Sequence, residues 1–179
     1  MKYQINNIGI LGGSFDPAHK GHVTISKIAI KKVRLKKIYW IITKKNPFKP
    51  KPFFSLKDRL KKAKKILNHT KNIQVLFLED NIKSSRSIET IKYIKKWKKP
   101  KNLYLIVGSD ILIDLHKWKS WKKLVKLVKL IVFSRKGYDK KSKESIVAKY
   151  LNNKKIIFIK NKPIKISSTI LRKKAKKNN

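Results

Sequence analysis

Residues 12–22 read Gly-Gly-Ser-Phe-Asp-Pro-Ala-His-Lys-Gly-His, and they concentrate groups suited to handling phosphate. Gly12 and Gly13 follow an apolar run and mark a turn, where absent side chains let backbone N–H groups approach an oxyanion closely. A helix opening just beyond adds the partial positive charge of its N-terminus. Asp16-Pro17 shapes the helix entry, proline being favoured near a first turn. His19 and His22 stand three apart, which turns both imidazoles toward one anion. Gly21 between them leaves room for a bulky nucleotide. The chain has four histidines, and two of them fall here, directly after the glycine pair. A zinc site is the poorer reading, because no further ligands follow at a suitable spacing.

A second group lies near the far end of the chain. Ser167 and Ser168 offer hydroxyls and the free N–H groups of a helix start, and Arg172 falls one turn later. Together they make another anion cradle. Taken alone, the same residues also describe an ordinary capped helix. Trp118 stays open between two roles, a stacking face for a flat ring or part of the core with Trp121.

These groups need a scaffold, and the hydropathy pattern supplies one. Near-continuous aliphatic runs at 8–12, 38–43, 73–78, 103–107, 130–133 and 156–159 read as parallel strands covered on both faces. Amphipathic segments alternate with them at 19–33, 56–67, 88–97, an irregular stretch over 111–128, and 143–151. In the second of these Leu56, Leu60, Ala63 and Leu67 return at three- and four-residue steps with lysine between. A short helix follows Ser167-Ser168. The alternation implies an α/β fold, a Rossmann-like doubly wound and mainly parallel sheet with helices on both faces. Its ligands belong at the carboxyl ends of the strands. The stretch 46–52, with prolines at 47, 50 and 52, then reads as a substrate loop after the second strand.

Composition narrows the chemistry further. Without cysteine there is no disulfide framework, thiolate metal site or cysteine nucleophile. Apolar residues make up 41%, enough for a packed core. Forty-nine Lys+Arg against nine Asp+Glu give a formal charge of +40. A polyanion partner such as nucleic acid is one explanation. Drift of surface positions to lysine is the other. The even spread of lysines favours drift, as does the restriction of arginine to positions 34, 59, 86, 135 and 172. No specific nucleic-acid partner is expected, and either way the field attracts anionic substrates. The run 8–11 is too short for a leader, and 124–133 is interrupted by Lys126 and Lys129. No membrane partner and a cytoplasmic location are the expectation.

The Gly-Gly-Ser-Phe-Asp-Pro-Ala-His-Lys-Gly-His stretch resembles the signature of the His-x-Gly-His nucleotidylyltransferase superfamily, and most closely its nicotinate-nucleotide adenylyltransferase family. The resemblance runs nearly end to end. Gly108-Ser109-Asp110 is similar to that family's strand-end Gly-x-Asp segment, with Trp118 shortly after where the family carries a tryptophan. Phe133-Ser134-Arg135-Lys136-Gly137-Tyr138 resembles its Arg-Pro-Gly loop, with Lys136 in place of proline. Ile166 to Arg172 is similar to its C-terminal Ile-Ser-Ser-Thr motif. Two departures stand out. Asn46-Pro47-Phe48-Lys49 replaces a Pro-Pro-His-Lys/Arg stretch, and Ser85-Arg86-Ser87 replaces Ser-Tyr-Thr.

The resemblance implies one nucleotidyltransferase domain over 1–179. It implies ATP binding by Gly12, Gly13, Ser14, Phe15, His19, His22, Gly108, Asp110, Ser167, Ser168 and Arg172, with His19, His22 and Arg172 catalytic. The second substrate, nicotinate mononucleotide, falls to Lys49, Ser87, Trp118 and Arg135. Mg²⁺ arrives with ATP, and no dedicated metal cage is expected. The reaction implied is adenylyl transfer to nicotinate mononucleotide, giving deamido-NAD and pyrophosphate in NAD biosynthesis. Its phosphate nucleophile has a second pKa near ~6 and needs no general base at neutral pH. Pantetheine-phosphate adenylyltransferase is the runner-up within the superfamily, though it typically has threonine in place of the first histidine. A nonspecific basic nucleic-acid-binding protein is the alternative outside it.

Overall fold

The computed structural model describes residues 6–68, 70–162 and 166–177. Six strands form one sheet in the order β3-β2-β1-β4-β5-β6, and every neighbouring pair is parallel. They are β1 (Asn7–Gly13), β2 (Lys37–Ile42), β3 (Ile73–Leu76), β4 (Asn102–Gly108), β5 (Lys129–Phe133) and β6 (Ile156–Ile159).

Side chains alternate across the sheet with period two, so each strand feeds two cores. Ile8, Ile10, Tyr39, Ile41, Leu103, Leu105 and Val107 point to one face. There they meet Ile88, Ile91 and Ile94 of α4 (Ser87–Lys98), Leu112 of α5 (Ser109–Asp114), Leu124 and Val125 of α6 (Trp121–Leu127), and Val147 of α8 (Ile146–Tyr150). Leu11, Ile38, Trp40, Ile42, Tyr104 and Ile106 point to the other face. They pack with Ala29 of α1 (Lys20–Val33) and Ala63 of α2 (Leu56–Ile66). Burial on both faces explains why the strands read as unbroken aliphatic runs.

Three sequence expectations shift. The third strand stops at Leu76, and the following residues instead enter a short helix, α3 (Glu79–Ile82), with Leu78 buried in the core. The helix expected over 143–151 is the shorter α8, and a separate short helix, α7 (Asp139–Lys143), precedes it. Ser145 divides them because its hydroxyl caps the N–H of Ala148, which starts a new helix. Lastly, Gly12 and Gly13 are not the turn. They remain in β1, paired beside Ile41 and Ile42, and the left-handed backbone falls on Phe15 (φ 46°). Phe15 is held there by packing between His22 and Trp40. Among the described residues no helix is long and apolar enough to cross a membrane.

Strand order reverses between β1 and β4, whose carboxyl ends diverge into separate loops. In doubly wound sheets that crevice is where ligands bind. The C-terminal helix α9 (Ser168–Lys177) closes over it.

Candidate active site

A cleft of about 1780 Å³ opens at this switch point. Small-ligand pockets usually run about 300–1,000 Å³, so this one has room for two nucleotides. Each residue the sequence assigned to a substrate lines it. Gly12, Gly13, Ser14, Phe15, His19 and His22 come from the β1–α1 connection, while Lys49 comes from the loop after β2. Ser87 opens α4, Gly108 ends β4, Asp110 lies in α5 directly after it, and Trp118 follows α5. Arg135 follows β5, and Ser167, Ser168 and Arg172 belong to the C-terminal segment.

The two histidines are fixed by reciprocal capping. His19 is the N-cap of α1, with extended backbone, so it lies outside the helix that His22 enters. The N–H of Gly21 donates to His19 Nδ1 at 3.1 Å, and the backbone N–H of His19 donates to His22 Nδ1 at 3.2 Å. This is a capping box built from imidazoles where Ser and Glu would ordinarily serve. Its chemical consequence is a tautomer. With each Nδ1 accepting a backbone hydrogen bond, each neutral ring carries its proton on Nε2. The ring centroids lie 3.9 Å apart, and His22 rests against Phe15 at 4.8 Å. Burial, aided by the nearby Arg135 charge, lowers the His19 pKa from 6.5 to about 4. Burial, then the neighbouring His19 and Arg135, lowers that of His22 to about 3. Both rings are therefore neutral at pH 7, each with one N–H donor at Nε2.

Arg172 reaches this group from the opposite end of the chain. Its Nη1 donates to the backbone oxygen of Asp16 at 2.9 Å and lies 3.6 Å from the Asp16 carboxylate. Ser168 Oγ donates to the Pro17 carbonyl at 2.9 Å, docking α9 on the same turn. Ser167 Oγ accepts the N–H of Ile170, the helix-start bond expected of a cap. The serines thus fasten the helix that delivers the arginine.

On the β4 side, Asp110 Oδ1 lies 3.1 Å from Arg135 Nε, an ion pair outside hydrogen-bonding geometry. The pair sits over Gly108. A Cβ there would collide with Asp110 Oδ1 and come within 2.8 Å of Arg135 Nε. Gly12 differs, since a Cβ on it would meet nothing within 4 Å. Its missing side chain leaves open cleft and relieves no internal crowding. The backbone N–H of Arg135 donates to Ser109 Oγ at 2.9 Å and to Asp139 at 3.1 Å, and Ser134 Oγ also bonds Asp139.

Lys49 and Phe48 stand at the exposed rim, Phe48 being 57% accessible. The Asn46 side chain accepts the Phe48 N–H at 2.9 Å and sets their turn. Trp118 is half-buried. It packs against the core cluster and also lines the cleft.

Sequence reasoning missed three anchoring residues. Asp16, read as a helix-entry residue, is buried and accepts the N–H groups of Phe53 and Phe54. Arg59 is 2% exposed and donates to four backbone carbonyls. Glu79 holds Thr43 and Lys44. Arg59 did carry a signal, as the one arginine in a helix otherwise saturated with lysine.

Comparison with known proteins agrees with this construction. A family model described as cytidylyltransferase-like matches residues 10–174. A probable nicotinate-nucleotide adenylyltransferase of Pelagibacter ubique is 48% identical over 93% of this chain and 92% of its own length. One from Aquifex aeolicus is 35% identical over 89% of this chain and 98% of its own. The nicotinic acid mononucleotide adenylyltransferase of Plasmodium falciparum, solved in complex with NaAD, superposes with a TM-score of 0.75 over 94% of this chain and 83% of its own. At 23% identity that likeness speaks for the fold alone. A crevice at the switch point, a family model matched over residues 10–174, and curated relatives 48% and 35% identical over most of both chains lead to one conclusion: the chain belongs to the nicotinate-nucleotide adenylyltransferase family of cytidylyltransferase-like proteins.

Proposed function

We propose that the protein transfers the adenylyl group of ATP to nicotinate mononucleotide, forming deamido-NAD and pyrophosphate for NAD biosynthesis in the cytoplasm. Residues 1–179 act in this as one nucleotidyltransferase domain. One observation carries the reading. Two neutral Nε2–H imidazoles and Arg172 converge on the β1–α1 turn, in a cleft with space for a second nucleotide.

A mononucleotide phosphate oxygen attacks the α-phosphorus of ATP, a new P–O bond forms, and the bond to the β-phosphate bridging oxygen breaks. The attacking group is already mostly dianionic at pH 7, so the site needs alignment and charge stabilisation rather than a base. His19 and His22 donate to the polyphosphate, and Arg172 meets the charge leaving with pyrophosphate. Gly12, Gly13, Ser14 and Phe15 form the floor under the phosphates, with Ser167 and Ser168 supporting Arg172. Gly108 and Asp110 flank the adenosine. On the acceptor side Lys49, Ser87 and Arg135 face the mononucleotide, and Trp118 offers its ring.

Mg²⁺ would arrive with ATP, bound mainly to its phosphates. The cleft carboxylates of Asp16 and Asp110 are already engaged, by two backbone N–H groups and by Arg135. The described residues hold no cluster of three or more acidic or histidine groups to cage an ion. The ion would neutralise phosphate charge, leaving the imidazoles and Arg172 to orient it.

The test is a substrate panel read by pyrophosphate release. Mg·ATP with nicotinate mononucleotide should turn over, faster than with nicotinamide mononucleotide. Turnover that instead depends on phosphopantetheine would reassign the acceptor.

A further inference from the structure

The loop 45–52 presents Pro47, Phe48 and Lys49 to the acceptor side of the cleft, yet most of its own residues are exposed. Its placement is decided at its two roots. At the departing root, Thr43 Oγ1 and the Lys44 N–H both bond Glu79, while the carbonyls of Thr43 and Lys44 accept from Arg59 at 2.7 and 3.0 Å. At the returning root, Phe53 N–H and Phe54 N–H donate to the two Asp16 carboxylate oxygens at 2.8 and 2.9 Å. Arg59 Nε donates to the Phe54 carbonyl at 3.1 Å. Arg59 Nη1 also reaches the Ser14 carbonyl at 2.8 Å, inside the phosphate-handling turn. One guanidinium therefore touches both roots and the turn, and Asp16 ties the turn to the returning root a second time.

A buried cation is costly unless its donors are satisfied, so the four carbonyls and the fork must keep their geometry together. Burial pulls the Arg59 pKa down, while the charges of Asp16 and Glu79 oppose that. A residue that only filled the core would be apolar. A planar fork with fixed donor directions joins segments that are distant in sequence.

We infer that Arg59 is a positioning residue, which couples the acceptor-side loop 45–52 to the phosphate turn with Asp16 as its second tie. Only the identity of the loop's ligand rests on the proposed function. The coupling rests on the bonds.

Two variants test it, Arg59→Lys and Asp16→Asn, each read by hydrogen exchange over 44–54 and by kinetics. Lysine donates from one point and cannot serve four carbonyls across a fork. In Arg59→Lys, exchange over 44–54 should quicken about tenfold while β1 and β4 stay as in the wild type, as expected for local opening when such bonds are lost. The KM for the acceptor mononucleotide should rise about tenfold, and that for ATP less than about threefold, since misplacing one loop penalises the ligand it faces. Asp16→Asn should shift both readouts the same way by less. Exchange that quickens throughout the protein, wild-type behaviour in both readouts, or equal rises in the two KM values would overturn the inference. If Arg59→Lys shows no cooperative unfolding transition, Asp16→Asn decides by the same criteria. If the wild type does not use nicotinate mononucleotide, the exchange readout still tests the coupling while the proposed function alone fails.

Discussion

The proposed phosphate end and the proposed acceptor end belong to one cleft but are held in different ways. At the phosphate end the groups proposed to act on the polyphosphate are themselves the structural fasteners. His19 and His22 cap the helix they begin, and Arg172 bonds the Asp16 backbone. At the acceptor end, Lys49 and Phe48 stand exposed on a loop whose order comes from Arg59, Asp16 and Glu79 at its roots. Preorganisation built into the reacting groups suits charge stabilisation in a transition state, which gains most from dipoles that need not reorient. A loop gripped only at its roots can bring different side chains to a ligand without disturbing the chemistry.

The sharpest way to break this contrast is His22→Ala. It should lower kcat by about 10²-fold or more, the range for losing one preorganised donor. Steady-state kinetics should show the KM values changing far less, and near-wild-type turnover would remove His22 from the chemistry. Gly108→Val is next. A side chain there displaces the Asp110–Arg135 pair, and the KM for ATP should rise about tenfold, matching the loss of one charge-assisted contact. Lys49→Ala should be the mildest, raising the acceptor KM about fivefold or less with kcat unchanged, because an exposed charge contributes up to about 1 kcal/mol. A large fall in kcat for Lys49→Ala would erase the distinction between the two ends.

Acid sharpens the comparison from another side. His19 and His22 are held neutral, with pKa values of about 4 and about 3 against an ordinary 6.5. The unfolded chain therefore takes up these protons at higher pH than the folded one. Their contribution to stability is complete above about pH 6.5 and is lost as pH falls from there toward 4 and then 3. Thermal melts of the free enzyme should drop over that window, and His19→Asn with His22→Asn should flatten the drop.

Much of the phosphate end was legible in the sequence because its interactions are local. The imidazole caps span three residues, and the glycines, prolines and strand runs act within a turn or two. The acceptor end was legible only as a proline-rich loop. What holds it is Asp16, 37 residues before the Phe53 whose N–H it accepts, and Arg59, 45 residues after the Ser14 whose carbonyl it meets. Even the end of the first strand, expected at Gly12, falls one residue later for this reason. A Gly-Gly turn is the natural local reading, but pairing with β2 keeps both residues in the strand and moves the left-handed position onto Phe15.

By itself the sequence determined the alternation of strands and helices, the absence of cysteine chemistry and the residue types available for phosphate. Period-two and period-3.6 hydropathy, together with side-chain chemistry, act over a few residues and need no partner from afar. Tertiary structure alone decided the strand order, the neutrality of the two imidazoles, and the meeting of Arg172 with the turn before His19. Those depend on burial and on hydrogen bonds between distant segments, and such bonds form only once the chain has closed on itself.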